Sequence, residues 1–170
     1  MTVFEAIKKR KSVRNYFNRP IEKEKIEQIL EAGRLAPTAS NEQQIKILVV
    51  TDDVLRLEMV NACFNQKFVA EAPAILVLCA TNERNMRCGQ PARTIDCSIA
   101  LSFMMLEAVE LGLGTCWLGD FYSDQVKRVL NIPDDYSIIA VAPIGYPSDM
   151  NQRQTPRKSQ DELVIYNRWM

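Results

Sequence analysis

Apolar positions recur at two different periods along this chain, and the switches between them divide it into helices and strands. Residues 3–9 put Val3, Phe4 and Ile7 on one side of a short helix. Residues 21–35 repeat the pattern, with Ile26, Ile29, Leu30 and Gly33 at helical spacing and charges between them, until Pro37 ends the run. The apolar runs at 45–50, 74–80 and 138–144 are short enough for buried strands. Between the first two, Asp52 or Asp53 is placed to cap a helix running through Asn61. Residues 81–91 are polar and loop-like. Residues 94–111 are apolar on nearly every face of a helix, which predicts packing on all sides. Gly112 then offers a left-handed C-cap, 115–118 reads as a short strand and 123–130 as a helix. This alternation predicts an α+β chain with a mixed sheet wrapped by helices.

A chain of 170 residues suits one domain over 1–170, able to bury roughly 70% of the surface its unfolded form exposes. Basic and acidic residues balance at 21 each, so no net field draws it toward nucleic acid or a membrane surface. Any anion must be held by a local cluster. The most apolar stretch, 95–111, carries Asp96, Glu107 and Glu110 and is short for a bilayer span, so a buried helix is expected. Cys63, Cys79, Cys88, Cys97 and Cys116 form no CxxC pair and the chain has no histidine, which argues against a zinc or iron–sulfur site. Scattered thiols and an N-terminus without a signal-peptide core suggest a cytoplasmic protein. The tail is polar from Ser148 but ends on Leu163, Val164, Ile165, Tyr166 and Trp169. Such an end is expected to dock, either as an arm over about 148–170 across a partner subunit or back on its own domain.

Three stretches carry candidate chemistry. In Arg10-Lys11-Ser12-Val13-Arg14 two guanidinium groups and a hydroxyl can grip a phosphate if the first helix ends near Arg10 and the chain turns outward. A run like this is otherwise a solvated face. In Ala36-Pro37-Thr38-Ala39-Ser40-Asn41-Glu42-Gln43 the helix stops and short polar side chains offer donors and acceptors to a heterocycle; the plainer reading is an ordinary turn. In Gly112-Leu113-Gly114-Thr115-Cys116-Trp117-Leu118-Gly119 a helix end runs into a strand whose backbone can face a flat ligand, with Cys116 and Trp117 read as core. It is not a dinucleotide fingerprint, because Trp117 stands where Gly or Ala should and the segment follows a helix.

In this order and spacing the three stretches resemble the FMN-dependent nitroreductase family, over nearly the whole chain. Ala36, Pro37, Asn41, Gln43, Val49 and Val50 match a family pattern, with Thr38 for Ser, while Gln44 and Ile45 replace its Pro-Trp. The resemblance implies a nitroreductase-like, largely antiparallel sheet with a buried central helix, in an interlocked homodimer with FMN at the interface. Arg10, Lys11, Ser12 and Arg14 would hold the phosphate, joined by Arg157 and Lys158 and with Arg153 as a neighbour. Pro37, Thr38, Ala39 and Asn41 would approach from the other subunit, Asn65 and Gln66 would meet the pyrimidine edge, and amides near Leu118 and Gly119 would face N5. The implied reaction is ping-pong, from NADH or NADPH through FMN to a nitroaromatic, quinone or similar small-molecule acceptor. Chemistry at N5 needs no side-chain acid or base, so no catalytic residue is expected. A non-catalytic flavin-storing or flavin-sensing dimer, or a specialised chemistry such as reductive dehalogenation, are the alternatives.

Overall fold

The computed structural model describes residues 1–81, 83–149 and 155–169; Arg153 lies outside them. Among the described residues, seven α-helices and one 3-10 turn (Ala39–Asn41) accompany a four-stranded sheet: α1 (Val3–Lys9), α2 (Lys23–Arg34), β1 (Ile45–Val50), α3 (Asp53–Ala62), α4 (Phe68–Glu71), β2 (Ala74–Thr81), α5 (Ala92–Glu110), β3 (Gly114–Thr115), α6 (Ser123–Leu130), β4 (Tyr136–Gly145) and α7 (Gln160–Leu163). Strand order is β1-β2-β4-β3, every neighbouring pair antiparallel, with a single parallel bridge from Ser12 to Thr115 at the β3 edge. That bridge is the mixed element of the sheet.

β2 reads as an unbroken apolar run because both of its faces are covered. Alternate side chains point to opposite faces. Leu76 and Leu78 join a core with Ile29, Leu101 and Met104 from α2 and α5, while Ile75 and Val77 join a second core with Met59 and Val126 from α3 and α6. Each such side chain, fully buried, stabilises the fold by roughly 1.5–3 kcal/mol. Asp52 caps α3 through Leu55 N–H at 3.0 Å. At the other end of α5, Gly112 takes φ +76°, and the Leu113 and Gly112 amides bond Ala108 O and Val109 O at 2.7 and 3.1 Å. This Schellman closure turns the chain sharply into β3.

The single chain departs from expectation along α5, which is not packed on all sides. Ile95, Ile99, Phe103 and Leu106 recur on one face that is only partly covered, Phe103 being 42% exposed. Val3 (72%) and Phe4 (64%) on α1 are exposed beside it. Val3, Ala6, Leu35, Phe103 and Leu106 line a groove of about 450 Å³. Among the described residues, no helix is long and apolar enough to cross a membrane.

Candidate functional site

The basic N-terminal segment becomes a strand at the sheet edge. α1 stops after Lys9, and Arg10 turns extended at φ −60°, ψ 125°. Val13 N–H donates to Thr115 O at 2.9 Å, and Ser12 bridges Thr115. In extended backbone, positions i, i+2 and i+4 share a side, so Arg10, Ser12 and Arg14 align while Val13 is buried against the sheet. Tyr16 pins the segment from beneath, its hydroxyl 2.7 Å from Val13 O and 3.2 Å from Pro143 O. Burial pushes the Tyr16 pKa upward, so this hydroxyl stays a donor rather than a proton source.

The cleft beside α1 brings several of these cations together. Burial pushes the Cys116 thiol up, against smaller opposing pulls from Arg14, Ser12 and Arg10. Cys116 itself is fully buried and Trp117 half-buried, both in the core. Next to α1, a cleft of about 490 Å³ is lined by Ile7, Lys8, Lys9, Arg10, Lys11, Thr155 and Arg157. This gathering of cations suits a phosphate dianion. Ser12, Arg14 and Lys158 do not line the cleft, Arg14 and Lys158 being exposed.

Close approach of this strand depends on Gly114. A Cβ there would meet Val13 Cγ2 at 2.5 Å and Val13 Cβ at 2.8 Å, both on a buried β-branched side chain that cannot move aside. Gly114→Ala should cost about 1–3 kcal/mol as overpacking, lower Tm by about 2–10 °C and weaken binding of any anion held by residues 10–14. Thermal melts and FMN titration check this; an unchanged FMN affinity would show that the strand spacing does not matter to the cleft.

Beyond β3, Leu118 and Val141 exchange backbone bonds, Leu118 N–H donating at 2.8 Å and Val141 N–H at 3.2 Å. The Leu118 amide is therefore committed to β4 and cannot also serve a ligand. Gly119 N–H makes no bond among the described residues, and a Cβ on Gly119 would meet nothing within 4 Å. A free donor beside open space is what a flat ring with an electron-rich nitrogen requires. Gln66 adjoins it, its side-chain N–H groups reaching Cys63 O at 3.0 Å and Asp120 O at 3.4 Å. Phe64 and Asn65 just before it take φ +55° and +59°.

Residues 36–43 do not reach this place. They lead into β1, whereas residues 10–14 and 114–119 lie at the β3 edge, about 14 Å away across three strand spacings. Ala39 N–H bonds Asp96 Oδ1 at 2.8 Å near the start of α5, and the helix rises about 22 Å from there to Leu111. Pro37, Thr38, Ala39 and Asn41 are thus apart from Arg10, Lys11, Ser12, Arg14, Gln66, Leu118 and Gly119 within one chain. The turn is also strained. Ser40, Asn41 and Gln43 all have φ +54°, at about 1–3 kcal/mol each for side-chain-bearing residues.

The Nitroreductase family model matches residues 7–66 and 56–146. The chain belongs to the nitroreductase family. A Thermus thermophilus relative named NADH dehydrogenase is 30% identical over 173 residues, covering 83% of this chain and 84% of that one. A nitroreductase family protein of Clostridium novyi NT superimposes with a TM-score of 0.84 at 31% identity, over 91% of this chain and 89% of that one. The NADPH:FMN oxidoreductase of Vibrio harveyi, solved with NAD+, gives a TM-score of 0.89 at 25% identity, over 99% and 78%.

In this nitroreductase one group of functional interest escaped the sequence reading. Arg93 and Asp96 are buried at the start of α5, and Glu42 and Arg84 complete a charge cluster with them. The signal was available: two opposite charges three residues apart in the most apolar helix of the chain.

Proposed function

We propose that this nitroreductase is an FMN-dependent oxidoreductase that passes electrons from NADH or NADPH to a nitroaromatic, quinone or similar acceptor, working as a cytoplasmic homodimer. The carrying observation is the free Gly119 amide beside open space, in the segment that follows β3, the strand that pairs with the basic segment at residues 12–13. Arg10, Lys11, Ser12, Arg14 and Arg157 would hold the FMN phosphate, each charge-assisted bond contributing about 1.5–3 kcal/mol. Lys158 would add to the field from nearby. Gln66 would meet the pyrimidine edge. Bound FMN would supply the hydride chemistry.

Gly119 N–H would favour the electron-rich reduced ring, as a fixed dipole that needs no reorganisation. Tyr16 is held neutral by burial, and the thiol of Cys116 likewise, so neither of these two groups is set up as an acid or base. The proposed site takes Pro37, Thr38, Ala39 and Asn41 from the second subunit, because one chain holds them at the opposite sheet edge. The open stripe of α5 with Val3, Phe4 and Leu35 is the proposed interface, being a contiguous apolar surface of the kind that marks association. The tail, over about 148–170, would lie on the partner: Ile165, Tyr166 and Trp169 are 53%, 78% and 85% exposed, so they find no cover on their own domain.

The test is the absorbance spectrum of purified protein, then anaerobic NAD(P)H addition. A flavin spectrum that bleaches, and returns when a nitroaromatic or quinone is added, is expected. A flavin that never bleaches would favour storage over catalysis. A colourless protein that takes up no FMN would overturn the proposal.

A further inference from the structure

The charge cluster at the start of α5 is poorly suited to stabilising the fold. Arg93 and Asp96 are 5% and 1% exposed, and taking such charges out of water is costly unless their hydrogen bonds are complete. Theirs are not: Arg93 Nε and Nη1 and Asp96 Oδ2 find no hydrogen-bond partner among the described residues. The nearest approach between the two, from Arg93 Nη1 to Asp96 Oδ2, is 3.7 Å. What the cluster does complete is a set of contacts to one short segment. Asp96 Oδ1 accepts from Ala39 N–H at 2.8 Å. Arg93 Nη2 reaches Glu42 Oε2 at 2.5 Å, and Arg84 Nη2 reaches Glu42 Oε1 at 2.7 Å. Glu83 holds the other side, accepting from Arg93 N–H at 2.8 Å and from the Thr94 hydroxyl at 2.9 Å. The segment so gripped, between Ala39 and Glu42, is the one with successive left-handed residues at Ser40 and Asn41. A strained turn persists only where its surroundings over-determine it.

We infer that Asp96 and Arg93, with Glu42, are positioning residues that set the 38–43 turn for the flavin of the opposite subunit, acting in trans. The inference rests on the proposed FMN function. Neither Asp96 nor Arg93 touches the flavin; both act through the backbone of the turn. The pKa of Glu42 is held down, first by its bond from Arg93 and then by the nearby Arg84 charge, against burial, as expected of a carboxylate gripped by two guanidinium groups.

Action in trans has a signature that a merely structural role lacks. Two differently tagged chains are co-expressed, one carrying R10A and R14A, the other Asp96→Ala, and the mixed dimer is isolated through both tags. FMN is then titrated by fluorescence. The Asp96→Ala homodimer should bind FMN at least tenfold more weakly than wild type at both sites. In the mixed dimer one site combines two defective parts. The other combines the intact grip of the Asp96→Ala chain with the intact turn of its partner. One FMN per dimer at wild-type affinity is therefore expected. Two weakened sites would confine the effect of Asp96 to its own chain and overturn the inference, as would an Asp96→Ala homodimer of wild-type affinity. If Asp96→Ala does not fold, Glu42→Gln loosens the same clamp from its half-exposed rim and is read in the same way. A wild-type chain that binds no FMN would overturn the proposed function, and the inference with it.

Discussion

Replacing both Arg10 and Arg14 by alanine should raise the FMN dissociation constant by about two to four orders of magnitude, with little change in thermal stability. Each lost charge-assisted bond removes about 1.5–3 kcal/mol, or roughly 10- to 150-fold. The two losses will not add strictly, because both groups would act on one phosphate. Stability should hold because neither side chain belongs to a core. Arg10 is half-buried at the cleft, and Arg14 is exposed, 5.9 Å over the Phe68 ring, a contact of about 0.5–1 kcal/mol at such a site. Added salt should weaken FMN binding to wild type more than to the double variant, since fewer exposed charges remain to be screened. Fluorescence titration at two ionic strengths reads both effects. Wild-type affinity in the double variant would remove the phosphate from this cleft.

The parts of the fold that were legible in the sequence are those whose pattern is local. β2 announces itself because two helical layers cover it, so no polar position interrupts the run. α6 (Ser123–Leu130) is read to the residue because its charged and apolar faces separate cleanly. α4 (Phe68–Glu71) is different. It is a single turn tied down by Arg56, whose Nη1 bonds Ala70 O and Ala72 O at 2.6 Å each, and no periodicity can express a contact made from another helix. α7 (Gln160–Leu163) follows a capping-box spacing, Ser159 to Glu162, that is a readable start signal in a segment otherwise too short to show a period.

The candidate site divides along the same line. Residue types and their order point to a phosphate grip and a turn, but which side each faces depends on sheet order. Leu118 and Gly119 are neighbours in one motif, yet the strand beyond β3 takes up the Leu118 amide and leaves that of Gly119 free. The strain at Ser40, Asn41 and Gln43 is invisible in the sequence because no glycine marks it. The apolar stripe of α5 looks the same in sequence whether it meets its own chain or a second copy. Only the layer arrangement, with α5 packed on the sheet, α2 and α1 while Phe103 stays exposed, distinguishes them.

That stripe supports the remaining large effect. Phe103→Asp should convert the protein to monomers and strip its flavin in the same step. Phe103 is 42% exposed in the single chain, so an aspartate there meets water and creates no cavity, and the isolated subunit should keep its fold. Across a two-fold interface the picture changes. Each carboxylate would be buried against Leu106, Val3 and Leu35 in a groove whose one cation, the Met1 ammonium, is already paired with Glu110 and whose rim carries Glu107, at several kcal/mol apiece, and symmetry brings in the penalty twice. The loss of flavin follows from sheet order rather than from any contact of Phe103. A monomer keeps Arg10, Arg14 and Gly119 but loses the partner's turn, and its own turn lies about 14 Å away at the far sheet edge. Light scattering and flavin absorbance on one sample measure both effects. A monomer that retains FMN would contradict the shared site while leaving the interface in place, and a dimer that retains FMN would show that this stripe is not the interface.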